Sequence, residues 1–97
     1  MPRIQGLAEL FFSSDLLVKT GKGYIFQITV TNEGGAAGNK VVLRDGTDNT
    51  GAPLAQFVFS AANETIVKEW ANGKEFTTGL FIDLQGGGAK QGDVTYK

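Results

Sequence analysis

Apolar and polar residues alternate with a period of two along much of this chain. The clearest stretch is Tyr24-Ile25-Phe26-Gln27-Ile28-Thr29-Val30-Thr31. Read as a strand, it places Tyr24, Phe26, Ile28 and Val30 on one face and Gln27, Thr29 and Thr31 on the other. Alternation among β-branched and aromatic residues is the mark of a half-buried strand. Asn32-Glu33-Gly34-Gly35 then ends the pattern with residues suited to a turn.

Further strands are predicted over residues 40–44, before Asp45-Gly46, and over residues 54–59, with Ala55, Phe57 and Phe59 on one face. Residues 65–70 alternate again and bring Ile66 and Trp70 together. Asn72-Gly73 lies between Trp70 and Phe76, and an Asn-Gly pair between apolar strands predicts a hairpin. Residues 80–84 point Leu80, Ile82 and Leu84 inward and Phe81 outward. Gly86-Gly87-Gly88 interrupts the pattern, and Val94-Thr95-Tyr96 forms a last strand. Seven to eight short strands with no helical period between them predict an all-β chain. The expected architecture is an antiparallel β-sandwich or jelly-roll-like barrel. Residues 14–97 form its single domain, and residues 1–13 an N-terminal arm or extra strand. An arm reaching a neighbouring subunit would present Ile4, Leu7, Leu10, Phe11 and Phe12, with Phe81 as a second contact on the outer face.

Composition narrows what such a domain can do. The 97 residues include no histidine and no cysteine, so imidazole general bases, thiol nucleophiles, zinc ribbons and disulfides are excluded. Nine basic residues face ten acidic ones, without a block of like charge. That balance points away from nucleic acid, whose binders carry a basic patch or stripe. No apolar stretch is long enough for a spanning helix, and Met1-Pro2-Arg3-Ile4 lacks the features of a secretory leader. Synthesis in a cytoplasm with no membrane partner is the expectation.

Candidate chemistry is sparse. Asp45, Asp48 and Asn49 fall within one loop and could offer oxygens to calcium, although the spacing lacks a full calcium-loop pattern. The plainer reading is a turn whose Asp and Asn side chains bond their own backbone. Glu69 and Glu75 flank Asn72-Gly73, but with Lys68 and Lys74 beside them they read as surface ion pairs, not a hydrolytic carboxylate pair. Neither glycine run feeds a helix, so neither is a phosphate cradle. No catalytic residue, cofactor or enzymatic activity is expected.

The order of motifs resembles that of small all-β virion proteins of tailed bacteriophages. It comprises Val18-Lys19-Thr20-Gly21-Lys22-Gly23-Tyr24, Val42-Leu43-Arg44-Asp45-Gly46-Thr47, Gly51-Ala52-Pro53-Leu54-Ala55, Phe76-Thr77-Thr78-Gly79-Leu80-Phe81-Ile82 and Val94-Thr95-Tyr96. The resemblance implies a capsid decoration or cement protein on the outside of a phage head. Its implied partner is the major capsid protein, with self-association, a trimer first, beside it. A glycan- or receptor-binding knob of a fibre and a neck or tail component are the alternatives it leaves.

Overall fold

The computed structural model describes residues 7–34 and 37–97. Ile4, one of the arm residues, lies outside them. All regular structure in the described residues is strand: β1 (Ala8–Phe12), β2 (Leu16–Thr20), β3 (Gly23–Thr31), β4 (Lys40–Asp45), β5 (Ala52–Val58), β6 (Thr65–Phe76), β7 (Gly79–Gln85) and β8 (Gln91–Tyr96). They form two four-stranded sheets, ordered β1-β8-β3-β6 and β2-β7-β4-β5. Every pairing is antiparallel.

A simple rule generates that order. β1 pairs with β8, β2 with β7, β3 with β6 and β4 with β5. The chain is thus one long hairpin, with β4–β5 at its tip, rolled up so that β3 also meets β8 and β4 also meets β7. This is the jelly-roll connection, realised as two packed sheets and not as a closed barrel. The core between them is drawn from both: Phe12, Ile25, Ile28, Val30 and Val94 from the first sheet, Val41, Leu43, Leu80 and Ile82 from the second, with Phe59 and Phe76. Each such side chain contributes about 1.5–3 kcal/mol through burial.

Two expectations about strand geometry are corrected. The first concerns β3. Ile25, Ile28 and Val30 are buried, whereas Tyr24 and Phe26 are only partly covered. The register shifts between Ile25 and Gln27 against both neighbouring strands, so a bulge changes the phase of alternation halfway along β3. The second concerns Asn72-Gly73, which makes no hairpin. Lys74 pairs with Ile25 and Glu69 with Gln27, so Trp70, Ala71, Asn72 and Gly73 bulge from a single strand, β6, opposite Phe26 alone. The chain instead leaves β6 through Thr77 and Thr78 and crosses to the other sheet.

Both ends of the sandwich are tied by polar contacts. At one end the short connections bond each other: Gly21 N–H donates to the Thr78 carbonyl at 2.8 Å and Gly46 N–H to the Gly79 carbonyl at 3.1 Å. At the other, buried Asn39 donates to the Asn32 side chain and to the Gly87 carbonyl, and Asn32 donates to the Ala61 carbonyl at 3.1 Å. Buried Lys90 donates to the carbonyls of Gly86, Gly87 and Gly88 at 3.1, 3.4 and 3.3 Å. The triple-glycine run is therefore a clamped loop whose carbonyls satisfy a buried ammonium group.

Candidate functional site

Asp45 ends β4 and turns its carboxylate toward the β6–β7 crossover. It accepts from Thr77 N–H and hydroxyl at 3.1 Å, Thr78 N–H at 2.8 Å and Gly79 N–H at 3.3 Å. Desolvation is the largest single influence on this group and pushes its pKa up. The hydrogen bonds from Thr78, Thr77 and Gly79 together outweigh it and hold the group below the ordinary 3.8. Asp48 accepts from the Thr50 hydroxyl and N–H, which lower its pKa as well. Both carboxylates thus serve backbone geometry, and Asn49 is exposed beside them. Among the described residues no group of three or more acidic side chains is placed to hold a metal ion.

The expected contact residues separate by face. Phe12 is 3% exposed and Leu10 packs against the core, so both belong to the interior rather than to a partner surface. Leu7 is half-buried ahead of β1. Phe11, between Leu10 and Phe12 on β1, points the other way and is 65% exposed. Phe81 is half-buried on the outer face of its sheet, level with Leu17 of β2 and Arg44 of β4.

A pattern emerges that the sequence alone did not reveal. The exposed large hydrophobic residues among those described are Phe11, Leu17, Val58 and Val67, at 65, 39, 55 and 56%. They lie on β1, β2, β5 and β6, which are the four edge strands of the two sheets. Each free edge therefore carries one uncovered apolar side chain beside unpaired backbone groups. β1 and β2 are joined by only three residues, 13–15, but belong to different sheets, and Phe11 and Leu17 both point away from the core, each on the outer face of its own sheet. Soluble proteins ordinarily protect such edges with charge, proline or bulges, and three of these edges carry such devices beside the apolar residue: the bulge and Lys68 of β6, Pro53 of β5 and the register shift before Lys19 in β2.

Between these edges the outer faces differ. On the β2-β7-β4-β5 sheet, Arg44 Nε donates to Asp83 at 3.0 Å in a mostly buried ion pair, and Gln85 donates to the same Asp83 oxygen at 2.9 Å. Val42, paired with Asp83 and Gln56, is fully covered there although it lies outside the core. On the other sheet, Gln27 donates to Thr29 at 2.6 Å and accepts from Thr95 at 3.3 Å, giving a hydroxyl-rich face. A cleft beside it gathers Lys19, Lys22, Tyr24, Phe26, Asn72 and Lys97.

Fold and surface together define a small two-sheet jelly roll with apolar side chains at its edges. No family model matches the chain, and no curated protein matches it.

Proposed function

We propose that this chain is a non-enzymatic structural protein of a virion: a decoration or cement protein that seats on the outside of a phage head. There it bridges neighbouring copies of the major capsid protein and associates with its own copies, as a trimer. The observation that carries this reading is the exposed apolar residue on every edge strand. A protein that binds a single partner on one patch has no use for uncovered edges on both sides of a sandwich. One wedged between neighbours does. Exposed edges can add strands across a subunit boundary, and modest contacts multiply over a repeated shell. Jelly rolls build capsids and lectins alike, so the fold supports the assignment only by analogy.

The test is sedimentation of purified protein with assembled, undecorated heads. Saturable binding and release of fewer subunits from decorated heads on heating are expected. A protein that stays monomeric and does not sediment with heads would overturn the reading.

A further inference from the structure

The cleft beside the hydroxyl-rich sheet involves neither the core nor the four exposed apolar residues of the edge strands. Lys19 ends β2, Lys22 sits in the two-residue β2–β3 turn, Tyr24 and Phe26 come from β3, Asn72 from the β6 bulge, and Lys97 follows β8. Together they line an open space of about 520 Å³, within the range of small-molecule sites. The bulge is what builds it. Four residues of β6 swing out opposite Phe26, and Gly73, at φ +81°, packs so closely that an added Cβ would meet the Phe26 ring at 3.0 Å and Tyr24 Cβ at 3.1 Å. The two aromatic residues are thus backed by main chain at the point where alternation breaks.

The lining is rich in donors. It offers three ammonium groups, an amide and a phenol. Of the ammonium groups only Lys22 is paired, with Glu75 at 3.0 Å; Lys19 and Lys97 have no carboxylate partner among the described residues. A donor-rich wall calls for a ligand with several acceptors and negative charge. Aromatic faces call for a ring with partly positive C–H groups. The positive patch is also short. Glu69 and Glu75 stand on β6 beside it, and Glu9 and Asp93 lie farther across the same sheet. A long polyanion such as a nucleic-acid strand would run from the lysines into these carboxylates. Among the described residues the lining contains no arginine fork of the kind that grips phosphate in two-point fashion.

From this we infer that the cleft formed by Lys19, Lys22, Tyr24, Phe26, Asn72 and Lys97 binds an acidic saccharide, a pyranose bearing a carboxylate. Lys19 and Lys97 meet the carboxylate, Tyr24 and Phe26 receive the ring, and Asn72 offers a donor and an acceptor to its hydroxyls. Binding at one such cleft is weak and becomes effective only through many copies.

Backbone-amide NMR of the labelled protein tests this with trigalacturonate, its uncharged methyl ester and adenosine monophosphate as probes. Trigalacturonate should shift the amides of Tyr24, Phe26 and Gly73 saturably. The methyl ester should bind about tenfold more weakly or not at all, and added salt should weaken the acid alone. The double variant Lys19→Gln/Lys97→Gln should keep the native spectrum and lose about tenfold in affinity. No saturable shift, equal binding of the ester, tighter binding of the nucleotide at the same amides, or an unchanged affinity in the double variant would each overturn the assignment.

Discussion

Ile25 and Phe26 are neighbours in the chain and opposites in the fold. Period-two alternation across residues 24–31 selects Phe26 for the interior, yet Ile25 is the buried one. The physical reason is nonlocal: a bulge is set by how β3 registers against β6 and β8, and no residue within β3 announces it. Substitution separates the two. Ile25→Ala should cost about 2–5 kcal/mol in chemical denaturation, as expected for a large-to-small change in a packed core. Phe26→Ala should cost less than Ile25→Ala, and the opposite ranking would restore the simple alternation. Asp45 offers a second prediction at this scale. Its pKa is held below the ordinary 3.8, so its contribution is present above that value and fades as pH falls through the lower, folded-state pKa. Asp45→Ala should therefore cost about 1–2 kcal/mol at neutral pH, from lost hydrogen bonds to a charged acceptor. Denaturation curves of variant and parent should converge in strong acid. A pH-independent difference would mean that Asp45 acts through shape and not charge.

Among the elements, β6 shows what local sequence can and cannot convey. Asn72-Gly73 was legible as a point where the backbone needs a left-handed residue, and Gly73 has φ +81°. What that residue does depends on the partner of the flanking strand. A hairpin would bring Trp70 back beside Glu75, but β3 is long enough to pair with both halves of β6, and the same dipeptide becomes a bulge. The remaining strands read more easily. Ala55 and Phe57 on β5 and Leu80 and Ile82 on β7 alternate as expected because those strands keep their phase over these residues, the β4–β5 register shift falling between Leu43 and Arg44, past Ala55. Gly73→Ala should destabilise the fold by about 1–3 kcal/mol, combining left-handed strain with the tight contact on Phe26. Hydrogen exchange should quicken first at Tyr24, Phe26 and Lys74. A change within about 0.5 kcal/mol would show that the bulge yields freely.

For the whole molecule, an all-β antiparallel sandwich follows from strand spacing, but the identity of the edges does not. Strand order depends on rolling the long hairpin, which brings β8 beside β3 and leaves β6 outermost although it lies near the middle of the chain. Hence the sequence marks Phe11 as apolar but does not separate it from Leu10 and Phe12, and nothing local distinguishes Val58 and Val67 from other strand valines. The separation of the edges supplies the sharpest prediction about assembly. Phe11→Lys with Leu17→Lys charges the edge strands β1 and β2, and Val58→Lys with Val67→Lys charges the edge strands β5 and β6. Neither pair touches the buried core, so each should leave thermal unfolding within a few degrees of the parent, as surface changes usually do. A bridging protein needs both pairs of edges, so each double variant should lose about tenfold or more in affinity for heads. If only one pair matters, the protein binds a partner through those edges alone, and the other pair is merely exposed. If neither matters, contact runs through the sheet faces, where Phe81 and the Arg44–Asp83 pair become the groups to substitute next.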